Sequence, residues 1–219
     1  MATRQAFDRA LAEVQRDILR MGALVEQSVY ESVQALTNQD SVLAAQVIIN
    51  DERVDEFFRE IEDKCIELIA TQQPMAKDLR VVVTGIKILM NLERMSDYAV
   101  DIAQATMCLI GESFDDPAMA EIPRMGKIAQ RMLKEALDAY VEGDVEKARA
   151  MCALDDQVDY IFDHLFRQFT ASMQKKPAFV PQGAYLLYVI RYLERIADHA
   201  TNVGEAVIYL VTGERRELN

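Results

Sequence analysis

Histidine, proline, glycine and cysteine are all scarce in this 219-residue chain, and each scarcity excludes something. Only 5 prolines and 8 glycines punctuate the length, which favours long helices. The three cysteines, Cys65, Cys108 and Cys152, are odd in number and form no CxxC pair, so no disulfide framework or zinc ribbon is written here. Each sits in an apolar helical context, which predicts small buried side chains in a reducing, cytoplasmic compartment. The only histidines are His164 and His199, and neither lies three residues after a glutamate. That argues against a carboxylate-bridged di-iron enzyme built on Glu-x-x-His pairs. His199 follows Asp198 directly and points about 100° away from it on a helix, the place of a surface or supporting residue rather than a ligand. Basic residues are in deficit, 24 against 36 acidic, for a net charge of −12. The deficit argues against nucleic-acid binding and suits cations or basic partner surfaces. Long apolar runs are missing as well: Ala184 to Ile190 is far too short to span a bilayer. Met1 to Glu13 is already charged and helical in pattern, so no signal peptide is expected. Gly183 and Gly204 are isolated, no glycine-rich phosphate loop occurs, and no nucleophile–base arrangement is readable, so an enzyme is not expected.

What is present is helical periodicity. Hydrophobic residues make up 51% and charged residues 27%, an ordinary globular balance. Six segments carry an apolar stripe: about 4–36, 41–71, 75–109, 119–140, 145–173 and 181–211. In the first, Phe7, Leu11, Val14, Ile18, Met21, Val25, Val29 and Val33 share one face. Breaks fall at Thr37–Ser41, at Gln72-Gln73-Pro74, at Gly111–Pro117, at Glu142-Gly143-Asp144 and at Lys175-Lys176-Pro177. Gly111–Pro117 is the most loop-like stretch, so the chain divides into 1–113 and 114–219. Each half reads as three helices of about thirty residues, roughly 45 Å long. Short links force antiparallel neighbours. The expected fold is all-α, two tandem three-helix bundles.

The halves repeat one another. Leu92-Glu93-Arg94-Met95-Ser96-Asp97-Tyr98-Ala99 returns 101 residues later as Leu193-Glu194-Arg195-Ile196-Ala197-Asp198-His199-Ala200. Asp51-Glu52-Arg53-Val54-Asp55 returns 104 residues later as Asp155-Asp156-Gln157-Val158-Asp159. Two motifs in the same order at nearly one offset mean a duplicated unit. Each copy holds carboxylates four residues apart, hence one above the other on a helix face. In two antiparallel helices joined by a tight turn, positions symmetric about that turn lie at one level. Asp55 with Glu93, and Asp51 with Asp97, are both symmetric about Pro74. Asp159 with Glu194, and Asp155 with Asp198, are symmetric about the Lys176-Pro177 break. The acids of the second and third helices therefore converge in both halves, in a groove outside the core. Asp101 continues the first column by one turn, and Asn202 is its counterpart.

Carboxylates crowded this way repel one another unless a cation sits among them. An oxygen-rich set suits Mg²⁺, Mn²⁺, Ca²⁺ or iron. The ten residues Asp51, Asp55, Glu93, Asp97, Asp101, Asp155, Asp159, Glu194, Asp198 and Asn202 are the candidate metal ligands. Two alternatives use the same acids: ordinary solvated charge offset by Arg94 and Arg195, or a metal-independent helical scaffold that binds a basic partner.

These residues resemble the paired E(D)xxxD motifs of the PhoU family, accessory regulators of phosphate-specific transport. Pro74-Met75-Ala76-Lys77-Asp78-Leu79-Arg80 is similar to the segment that opens the family's third helix, and the closing Tyr209-Leu210-Val211-Thr212-Gly213 fits as well. The resemblance spans essentially the whole chain. It implies two related three-helix bundles, multinuclear metal clusters on the acidic motifs with iron first and Mn, Ni, Zn or Mg as other occupants, and dimers. It implies a non-enzymatic negative regulator in the cytoplasm, acting between the ATPase subunit of a phosphate ABC transporter and a sensor histidine kinase. Asn202 departs from the pattern, since an amide is a weaker ligand than Asp101.

Overall fold

Six apolar stripes have to find partners, and they do so as helices alone. The structure, a computed structural model, describes residues 2–112 and 117–214. In order, the α-helices are α1 (Ala2–Asn38), α2 (Ser41–Gln72), α3 (Lys77–Leu109), α4 (Glu121–Glu142), α5 (Val145–Cys152), α6 (Asp155–Lys175) and α7 (Val180–Thr212). The expected boundary at 113/114 lies outside the described residues. Local chemistry sets most ends. The Asp40 carboxylate accepts from the amides of Val42 and Leu43, both at 3.0 Å, and caps α2. Asp144 accepts from Glu146 and Lys147 at the start of α5. Gly143 and Gly213 close α4 and α7 in the left-handed conformation.

The fifth expected segment, 145–173, is interrupted. At Ala153 and Leu154 the backbone stays right-handed but switches to i→i+3 hydrogen bonds, Leu154 N to Met151 O at 2.9 Å and Gln157 N to Leu154 O at 3.0 Å. Asp155 and Asp156 thus stand in the first turn of α6, whereas Asp51 and Asp55 lie inside the continuous α2.

In the first half α1, α2 and α3 pack on one another; in the second, α4 packs with α5 and α6, and all three with α7. The halves also face each other, α1 against α4 and α3 against α7. Both crossings obey the duplication. A Cβ on Gly22 of α1 would stand 2.4 Å from Leu137 Cδ1 of α4, and one on Gly126 of α4 would stand 2.9 Å from Val33 Cγ2 of α1. Gly22 and Val33 shifted by 104 are Gly126 and Leu137, so one contact is made twice across a local twofold. On the other crossing, Tyr98 stacks on Tyr192 at 5.8 Å and Asn91 meets His199 at 2.8 Å. Shifted by 101, Asn91 and Tyr98 are Tyr192 and His199, again one pair used twice. One hydrophobic cluster runs through both halves, from Phe7 and Ile18 to Val207 and Leu210. The two bundles therefore share a core.

One side chain differs from expectation: Cys108 is exposed, while Cys65 and Cys152 are buried as expected. Arg80, near the start of α3, lies over the Tyr209 ring at 5.6 Å and against Gly213 at the end of α7. Among the described residues no helix is long and apolar enough to cross a membrane.

Candidate metal centres

The α2–α3 turn sets the level of the first acid set. Ser96 Oγ donates to Asp51 Oδ1 at 2.6 Å, one residue from the level that symmetry about Pro74 requires. Asp55 and Asp97 lie close enough to Asp51 and Glu93 for their charges to act on both. Burial, followed by the neighbouring Asp97, pushes the Glu93 carboxyl up; Asp55 and Asp51 add to the rise and Arg94 opposes it. Burial also pushes Asp51 up, against the Ser96 hydrogen bond and with the help of Asp55 and Asp97. Asp101 is raised by burial and by Asp97. Its charge also reaches across the seam to Tyr192, so Asp101 stands between the first acid set and α7. Arg94 is the resident counter-charge, 2.9 Å from Asp97 and 3.4 Å from Glu93.

The second set lines an open cleft of about 570 Å³ that contains Asp155, Asp159, Glu194 and Asp198. Crowding is more severe here. Burial, with Asp198 next, pushes Glu194 up to about 7. Arg191 pairs with Glu194, and Arg195 with Asp198 at 3.2 Å. Neither satisfies Glu194 Oε2, which is buried with no hydrogen-bond partner. Asp159 is raised by burial and by Asp198. A buried, unpaired carboxylate oxygen among other carboxylates is costly unless something positive meets it. The donor set, all carboxylate with one open side, fits a hard or intermediate cation. Among the described residues no three His, Cys, Asp or Glu side chains are already arranged to hold an ion. The three arginines hold the carboxylates in their own pairs, and an incoming cation would have to displace them.

Asn202 is not in the second cleft. It lines a separate opening of about 960 Å³ on the α3–α7 seam, beside Glu93, Arg94, Asn91 and His199. His199 is half-buried there, and its imidazole is lowered by burial first and then by Arg195. It is a seam residue, in keeping with the supporting place expected for it.

The comparisons with known proteins come down on one side. The PhoU domain model matches residues 18–106 and 122–207, one match in each half. This chain belongs to the PhoU family. The phosphate-specific transport system accessory protein PhoU homolog of Clostridium acetobutylicum is 43% identical over 218 residues, covering 99% of each chain. The homolog from Pseudomonas aeruginosa is 35% identical over 209 residues, 95% of this chain and 86% of that one. Among solved structures, PhoU from Pseudomonas aeruginosa superposes with a TM-score of 0.91 at 35% identity, covering 95% of this chain and all of that one. The phosphate transport system regulatory protein PhoU from Streptococcus pneumoniae gives 0.90 at 31% identity, covering 97% and 100%. The duplicated acidic motifs thus sit inside the two family repeats.

Sequence reasoning passed over Ser96 and Arg191. Ser96 was legible, since it stands inside the Glu93–Asp97 motif. Cys152 stands three residues before Asp155, a helical spacing, but the interruption at 153–154 had to be seen before its place on the cleft wall became plain.

Proposed function

We propose that this chain is a non-enzymatic, metal-loaded regulator of phosphate uptake and signalling. It acts as a negative regulator between the ATPase subunit of a phosphate-specific ABC transporter and a sensor histidine kinase. The observation that carries the transport role is end-to-end correspondence with a PhoU homolog named as a transport accessory protein, 99% of each chain. Metal loading is supported by the orphaned Glu194 oxygen and by the raised carboxyls of both acid sets. Bound cations neutralise the acidic clefts, stabilise the packing of α2 on α3 and of α6 on α7, and leave a surface that a partner reads. Iron, manganese, zinc, nickel or magnesium could serve, and the carboxylates hold and orient whichever ion is bound.

Two experiments test the reading. A deletion strain should express phosphate-starvation genes in phosphate-rich medium; normal repression there would overturn the regulatory role. Protein purified without chelator or histidine tag should carry two or more ions per chain by mass spectrometry, lost on combined replacement of Glu93, Asp97, Glu194 and Asp198. An empty chain that takes up no metal on titration, yet still binds its partner, would make the acids a direct docking surface.

A further inference from the structure

The two ends of the α3–α7 seam carry opposite chemistry. Arg80, Lys87 and Arg94 stand at intervals of seven along α3 and so form one column of cations. Arg94 is answered by Glu93 and Asp97. The other two are not. Arg80 lies 5.6 Å and Lys87 5.5 Å from the centre of the Tyr209 ring, and among the described residues neither makes an ion pair. A ring face attracts a cation, but two cations drawn to one ring repel each other. Arg80 is half-buried besides, held against the left-handed Gly213, where a Cβ would stand 2.6 Å from its Nη1. In a chain with 36 acidic side chains against 24 basic ones, two neighbouring cations without a carboxylate call for an anion from outside.

Lys87 also lines the seam opening of about 960 Å³, together with Asn202. The counterparts of Arg80, Lys87 and Tyr209 in the other repeat are Pro181, Tyr188 and Cys108, so the mirrored end has no such cations. The counterpart of Asn202 is Asp101. The end that holds the cations is thus the end where the acid of the repeat has become an amide, which takes one negative charge out of the opening. The opening is large for a bare anion and of a size that takes small organic molecules. Phe58, Met90 and Ala206 give it an apolar wall. Glu93 and Glu205 line it as well. Carboxylates repel a bare phosphate but accept from sugar hydroxyls. Asn202 offers donors and an acceptor together, the pair that can read the edge of adenine. We propose that this end of the seam binds a nucleotide, with its phosphates on Lys87 and Arg80, its base on the apolar wall and Asn202 at the edge of that base.

Calorimetric titration of the full chain with ADP tests this. Chelator is present throughout, so no cation in either acid set can bridge to the phosphates. One ADP per chain is expected, with pyrophosphate and adenosine each binding more weakly. Lys87→Gln and Asn202→Asp should each weaken ADP about tenfold, the scale of a lost charge-assisted hydrogen bond, while circular dichroism stays unchanged. Lys127→Gln, at an exposed position of α4, should change nothing. Affinity should fall as salt rises. No binding of any of the three ligands at millimolar concentration would overturn the proposal. So would an ADP affinity that Lys87→Gln and Asn202→Asp leave untouched. Pyrophosphate binding as tightly as ADP would refute the contact of a base with the wall.

Discussion

Glu194→Gln separates a carboxylate awaiting a cation from one that merely faces water. The folded chain holds Glu194 at about 7, against 4.5 for the ordinary side chain. A raised carboxyl means that the folded state favours the proton more than the unfolded state does. Stability from this group is therefore fully present below about pH 4.5 and is lost as pH rises through about 7. Taken whole, the shift corresponds to about 3 kcal/mol. The carboxylate borders an open cleft where water screens it, so about 1–2 kcal/mol is the better expectation. Glutamine keeps the shape and can still accept from Arg191, but it carries no charge.

Chelator-treated Glu194→Gln protein should therefore match the native chain near pH 4.5 and exceed it by about 1–2 kcal/mol at pH 8, a rise in Tm of roughly 4 °C for a chain of this size. With metal present the order reverses. An ion at a hundred times its Kd stabilises the folded form by about 2.7 kcal/mol per site. The native chain should gain both sites and the variant only the first. Thermal melts at pH 4.5, 6 and 8, with chelator and with manganese, read all of this. Identical pH curves for the two proteins in chelator would refute the claim that Glu194 carries a charge penalty. An equal manganese gain would refute its place among the ligands.

Four further substitutions probe the frame around the site. Gly126→Ala should destabilise by about 1–3 kcal/mol, and more than Gly22→Ala, because its new methyl meets the stiff, β-branched Val33 rather than the movable end of Leu137; urea melts would check the order, and equal costs would undo the argument. Asp144→Ala should lose about 1 kcal/mol through the cap of α5, seen in the same melts, with metal content unchanged. Ser96→Ala removes the hydroxyl that holds Asp51 at 2.6 Å and should weaken manganese binding at the first acid set several-fold without touching the second, as titration of the two sets would show.

Much of the fold was legible because long apolar stripes leave little choice. Every expected segment is present, and most ends fall where a cap, a glycine or a proline marks them. The meeting of Asp51, Asp55, Glu93 and Asp97 was legible too, since a tight turn at Pro74 makes level a matter of symmetry. The interruption at 153–154 was not. Ala153 and Leu154 keep right-handed dihedrals, φ −65° and −75°, and neither is a proline or a glycine. Only the hydrogen-bond register changes, and no residue type announces that. The place of Asn202 on the seam was hidden for another reason: helices α3 and α7 are joined by no short turn, so nothing in the numbering fixes their register.

That seam also explains why a duplicated chain need not have duplicated sites. Each half supplies both sides of the local twofold, so a change in one copy alters one side only. Tyr98 and Tyr192 stack where the mirrored pair is His199 and Asn91, and the mirrored side is the one that stays open. The same logic holds at the acid clefts. Ser96 has become Ala197, Asp101 has become Asn202, Ile48 has become Cys152 and Ala103 has become Gly204. Ile48 packs against the small apolar cluster that holds Ala103, so the last two differences reach helix packing as well. Each of them alters the side chains in or around a cleft. The backbone repeat thus fixes where the acids stand, and the single-copy differences fix what surrounds them.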